Sequence, residues 1–142
     1  MEEHINYLYK RRQIMMAVVI VLALIALIVS LNFSITPSNY FNGVYNYSFI
    51  GFLFVYKIIE LTILYYLLLH RHAEYIKHNP LTDELLQKIK KHTKLLLFLI
   101  PQGNTVFGII SYKLSGDVKY FLFFSLIAFI TLILVNPNKL NL

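Results

Sequence analysis

Two ionisable residues three positions apart, Lys57 and Glu60, stand inside FVYKIIELTILYY (residues 54–66), a stretch otherwise nearly devoid of polar groups. On a helix an i,i+3 spacing turns the side chains through only ~60°, so the ammonium and the carboxylate can close into an ion pair. A paired lysine and glutamate form a net-neutral unit that is far cheaper to bury than either charge alone. The alternative is that burial keeps Glu60 as its neutral acid. Tyr56, one turn ahead of Glu60, can donate a hydrogen bond to it in either state. The chemistry open to such a group is proton exchange or a polar contact between helices.

A second polar group lies in LIPQGNTVFG (residues 99–108). Pro101 removes one backbone donor and Gly103 adds freedom, so the spacing predicts a kink or break in that helix. Gln102 and Asn104 sit at the same depth. Polar side chains beside an interrupted helix are the material of substrate sites in carriers. Lys57, Glu60, Tyr56, Gln102 and Asn104 are therefore the candidate intramembrane polar site, with Pro101 and Gly103 as its hinge. The competing expectation is structural, because polar side chains also join membrane helices at ~1 kcal/mol or less per hydrogen bond.

Other chemistry is poorly provided for. There is no cysteine, which excludes disulfides, thiolate catalysis and cysteine-held metal clusters. His70, Glu74 and His78 fall at i, i+4 and i+8 on one helical stripe, with His92 nearby and His72 on another face. Without further ligands that spacing is a weak metal signal. No phosphate loop, nucleophile elbow or HExxH pattern occurs. The expectation is a protein with no catalytic residue, no metal and no cofactor.

The elements that must position these residues are apolar helices. The 142 residues are 58% hydrophobic and 14% charged, well outside the range of soluble domains. Four apolar runs, 14–33, 48–69, 95–112 and 118–135, are 18 to 22 residues long. At ~1.5 Å per residue each covers ~27–33 Å, enough for a hydrocarbon core of ~30 Å. The first run follows Lys10, Arg11 and Arg12 but exceeds a signal-peptide core and lacks a cleavage site, so it reads as a retained anchor.

The net charge of +6 is placed asymmetrically. Ten basic residues flank the runs on one side, in the N-terminal segment, the 70–94 connection and at Lys139, against Lys113 and Lys119 on the other. The positive-inside rule then puts both termini in the cytoplasm. Basic residues at the ends of apolar runs point to lipid and not to nucleic acid. Within 70–94, Leu81, Leu85, Leu86 and Ile89 share a face opposite Lys88, Lys90 and Lys91, which predicts a short amphipathic helix on the inner leaflet or on a partner, starting at Asn79-Pro80. Arg71, Lys77, Lys88, Lys90, Lys91 and Lys94 are the candidate contacts to anionic lipid or to a cytoplasmic partner. The 34–47 loop, uncharged and holding Pro37 and Gly43, is expected flat on the outer surface.

The whole describes an all-α, single-domain, multi-pass protein of the cytoplasmic membrane. It is expected to be a non-catalytic subunit or accessory factor, joined to other membrane subunits or to copies of itself. The alternative is a small carrier or proton-coupled transporter with Glu60 as its titrating group.

Overall fold

A computed structural model describes residues 2–38, 44–66, 70, 74, 77, 78, 80 and 82–135. The main helices are α1 (Glu2–Asn32), α2 (Val44–Tyr66), α3 (Asp83–Ser115) and α4 (Val118–Leu134). The protein is all-helical over these elements, and three of them are long and apolar enough to cross a membrane: Asn6–Asn32 of α1, Tyr45–Leu64 of α2, and α3. The fourth, α4, has 17 residues and spans ~26 Å by its rise.

Helix α3 departs from the expected pattern. The polar stretch around Leu85–Lys91 is not a separate surface helix but the first third of one 33-residue helix. The reason lies in its buried positions: Leu86, Ile89, Thr93, Leu97, Ile100, Asn104, Gly108, Ser111 and Ser115 all share one stripe. Their spacing of three and four residues runs unbroken across the change from charged to apolar sequence at Lys94. Leu85, Leu86 and Ile89, expected against the leaflet, are 8, 9 and 3% exposed inside the protein. Leu81 lies outside the described residues. The helix starts later than Asn79-Pro80. Thr82 caps it, its hydroxyl accepting from Leu85 N at 3.4 Å, and Asp83 and Glu84 complement the dipole in the first turn.

Nor does Pro101 break the helix. Proline denies the Leu97 carbonyl its donor, yet packing on both sides holds the chain helical. Leu97 and Ile100 are 0 and 1% exposed.

The core joins α1, α3 and α4 through Leu8, Met15, Val19, Leu97, Ile100, Ala128, Leu132 and Val135. Tyr7 of α1 lies beside Lys90 of α3, and Ser30 and Phe33 lie near Tyr112 and Gly116, so α1 and α3 run parallel. The α3–α4 interface is the most extensive. It is close-packed at Gly108, where an added Cβ would lie 2.9 Å from the Phe121 ring. The chain reverses between the two helices at Gly116, in the left-handed region at φ 70° and 2.7 Å, by its absent Cβ, from the Ile35 carbonyl. Only glycine meets both conditions without strain.

Helix α2 leans on α3 and reaches α4 through rings, Phe54 lying 5.0 Å from Phe123 and 6.4 Å from Phe124. It begins at Val44, so residues 44–47 belong to a helix and not to the flat outer loop expected of them. Two contacts fix its register against α3. Asn46 donates to the Leu114 carbonyl at 3.1 Å and Lys57 abuts Gly103, which sets the helices antiparallel with each pair summing to the same residue total.

Candidate functional site

Lys57 is 1% exposed, and with Phe124 it is among the largest of the fully buried side chains described. Its ammonium donates to Glu60 Oε2 at 2.6 Å. The same nitrogen lies 5.3 Å from the centre of the Phe107 ring, a distance at which the ring face attracts a cation. On the remaining side stands Gly103, where a Cβ would come within 2.7 Å of the nitrogen. Gly103 thus serves close approach. It leaves room for a charged head between two helices that a larger residue would fill.

The pair is lopsided. The Lys57 side chain is 2% exposed and that of Glu60 35%. One partner is sealed between α2 and α3, while the other turns part of its surface outward. The pair also lies to one side of the centre of its apolar segment. Measured along Tyr45–Leu64, Lys57 lies ~4 Å and Glu60 ~8 Å past the middle of the apolar segment, towards the end of α2 that carries Tyr66. Both remain within the ~15 Å half-thickness of a hydrocarbon core.

The other expected members divide. Tyr56 joins the neighbourhood but not the ion pair: its ring meets Phe107 edge-on at 5.9 Å, and it is 49% exposed. Gln102 is exposed. Asn104 is 1% exposed and donates its amide to the Ile100 carbonyl one turn back at 2.8 Å. Thr105 likewise donates to the Pro101 carbonyl at 2.8 Å. The structure therefore brings together Lys57, Glu60, Gly103, Phe107 and Tyr56, and it joins neither Gln102 nor Asn104 to the pair. Phe107 escaped notice because a phenylalanine in an apolar run carries no signal. Only the α2–α3 register shows that it falls one turn from Gly103 and opposite Lys57.

Asn46, in the first turn of α2, is a further buried polar residue. It is 3% exposed, with its amide donating to the Ser38 and Leu114 carbonyls at 2.7 and 3.1 Å. It ties the chain entering α2 to the end of α3.

Of the histidine stripe, His70 and Glu74 stand 3.8 Å apart and are 62 and 66% exposed, and His78 is exposed as well. Among the described residues no three His, Asp or Glu side chains converge as metal ligands. His72 lies outside the described residues.

At the basic end, Arg71 lies outside the described residues and Lys77 is exposed. Lys88, Lys90, Lys91 and Lys94 surround a cavity with Tyr7. At the opposite end Lys119 pairs with Asp117 at 2.8 Å, and Asp117 also caps α4 by accepting from Lys119 N at 2.9 Å. The hydrogen bond from Lys119 holds the Asp117 carboxyl below its ordinary range. Tyrosines accompany cations at both ends: Arg12 over Tyr9, Lys90 over Tyr7 and Lys119 over Tyr120.

No family model, curated protein or solved structure matches the chain.

Proposed function

We propose that the protein is a four-span integral protein of the cytoplasmic membrane, both termini inside, and a non-catalytic subunit or accessory factor that docks through the outer face of α2. The observation that carries this reading is the 35% exposure of Glu60 beside a lysine that is sealed. A charged group facing acyl chains costs ~2.5–3.5 kcal/mol at the centre of a span on insertion scales, and part of that at the ~8 Å offset of Glu60. A donor from a neighbouring membrane subunit, or from a second copy of this chain, removes that cost. The flanking surface suits such a contact, since Tyr56, Ile59 and Ile63 are 49, 54 and 54% exposed. The basic end of the bundle, rich in Lys88–Lys94 and Lys10–Arg12, supports the orientation with that end inside.

A proton-coupled carrier is the second reading, favoured by the access that Glu60 alone of the pair has to its surroundings. Weighing against it, the residues expected to bind substrate are engaged elsewhere, Asn104 with Ile100 and Gln102 outward.

Co-purification in mild detergent, followed by cross-linking from position 59 or 63, tests the choice. As a subunit the protein carries a stoichiometric partner or second copy, and Glu60→Gln weakens that association. Flux through proteoliposomes holding only this chain, abolished by Glu60→Gln with association intact, decides for the carrier.

A further inference from the structure

We propose that the basic cavity between α1 and the first turns of α3 is a site for the phosphate group of an anionic phospholipid, whose acyl chains run down the α1–α3 seam. This rests on the membrane reading above and gives the basic end a defined ligand in place of a diffuse attraction to the leaflet.

The cavity has a volume of about 650 Å³ and is lined by Tyr7, Glu84 and Gln87 together with Lys88, Lys90, Lys91 and Lys94. Among the described residues none of these four lysines forms an ion pair, the pairs being Lys57–Glu60, His70–Glu74 and Lys119–Asp117. Lys90 rests over the Tyr7 ring at 4.5 Å, which fixes α1 against α3 at this level. Outside the lining, about one turn further along α1, Arg11 Nε and Arg12 Nε and Nη1 are buried with no acceptor among the described residues. Four lysines against the one Glu84 carboxylate leave the lining with excess positive charge, and the missing partner is an anion.

The depth identifies the anion. Lys94 is the last charge on α3 before Lys113, and Arg12 is the last on α1, so the cavity opens at the boundary between charged and apolar surface. Lipid phosphates lie at that boundary, and basic pockets between membrane helices on this side suit them. Below it the same helical stripes turn apolar and outward. Tyr7 and Arg11 are followed on α1 by Ile14 and Val18, which are 48 and 38% exposed. Lys91 and Lys94 are followed on α3 by Leu95 and Phe98, 55 and 43% exposed. A ligand with an oxyanion head and a hydrocarbon tail fits both parts, whereas free phosphate uses only the first.

The test takes the full chain in detergent, titrates it with phosphatidylglycerol, phosphatidylcholine or inorganic phosphate, and counts bound lipid by native mass spectrometry. Phosphatidylglycerol is expected to be retained and phosphatidylcholine not. Lys91→Gln/Lys94→Gln is expected to weaken retention by on the order of 10-fold or more, since each lysine near a lipid phosphate contributes several-fold. Lys10→Gln/Lys77→Gln removes the same charge from exposed positions outside the cavity and should change retention by less than about 2-fold. Equal losses in the two double variants, or equal retention of the two lipids, overturns the site. Inorganic phosphate competing as well as the lipid overturns the lipid source. Carbonate extraction of the same membranes reports separately on insertion: an inserted chain that retains no phosphatidylglycerol refutes the site alone, and an extracted chain refutes the membrane reading.

Discussion

Removing either half of the Lys57–Glu60 pair should produce unequal damage, and removing both should restore most of the loss. Glu60→Gln leaves an ammonium that is 2% exposed with no counter-charge. The glutamine amide oxygen can still accept from it and the Phe107 ring faces it at 5.3 Å, but a neutral dipole and a cation–π contact of ~2 kcal/mol replace the lost counter-charge only in part. Stripping one partner from a buried pair costs ~3–5 kcal/mol, and the sealed position of Lys57 places this variant in that range. Lys57→Met leaves the opposite group, a carboxylate already 35% exposed. That group is not sealed and lies ~7 Å from the near edge of the hydrocarbon, where local water entry eases its charge, so ~1–2 kcal/mol is expected, below the buried-pair range. In the double variant Lys57→Met/Glu60→Gln, uncharged side chains fill nearly the same volume, and stability should return to within ~1 kcal/mol of the natural chain.

The coupling energy from this cycle is therefore ~3–7 kcal/mol, at least several times the ~0.6 kcal/mol average for hydrogen bonds between membrane helices. Reversible unfolding in mixed micelles, followed by helical circular dichroism, measures all four corners under one condition. Equal, small and additive effects of the two single variants would refute the reasoning. They would mean that the ammonium is not sealed, whatever its distance from Glu60.

Three further outcomes follow from particular contacts. Gly103→Ala must push the Lys57 nitrogen from the 2.7 Å at which it would meet the new Cβ; the flexible end of a lysine can yield, so stability should change by less than ~1 kcal/mol, whereas Gly103→Leu should overpack the α2–α3 contact and cost ~1–3 kcal/mol in the same unfolding assay. Gly116→Ala combines a left-handed backbone with a Cβ 2.7 Å from the Ile35 carbonyl, and thermal denaturation should show a loss of ~2 kcal/mol or more. For Asp117 the carboxyl is held below its ordinary value of 3.8 by the Lys119 hydrogen bond. A depressed carboxyl stabilises fully above the unfolded value and loses that contribution as pH falls through the folded one. Between pH 5 and pH 3, Asp117→Asn should thus lose less stability than the natural chain, and parallel pH profiles for the two would contradict the capping role.

Much of this was legible in the sequence. The four apolar runs became four helices because each is long, apolar and bounded by polar or turn residues, and the start of α4 at Val118 follows from Gly116 and Asp117. Lys57 and Glu60 were readable as a pair because an i,i+3 spacing within one helix needs no tertiary knowledge. What failed needed register. The charge step at Lys94 looked like a boundary, yet the buried stripe from Leu86 to Ser115 crosses it at constant period. That same stripe contains Asn104 and omits Gln102, a distinction available from spacing alone. Gly103 read as a hinge because glycine beside proline suggests a bend. Its use as a seat for the lysine appears only when α2 is laid antiparallel on α3, and nothing in either helix's sequence fixes that alignment. The cavity at Tyr7 was hidden for the same reason, since its walls lie some eighty residues apart in the chain.

Helix α2 is proposed to cross the bilayer with its acid–base pair inside the hydrocarbon. The chain has no cysteine, so single thiols can be placed at Tyr45, Val55, Ile59 and Gln87, all exposed positions, and offered a membrane-impermeant maleimide in sealed vesicles. Labelling of Tyr45→Cys from the outer side, of Gln87→Cys only once the inner side is opened, and of neither Val55→Cys nor Ile59→Cys until detergent is added is the predicted result. Val55→Cys or Ile59→Cys reacting in intact vesicles as fast as Tyr45→Cys would place the helix in water and contradict the account.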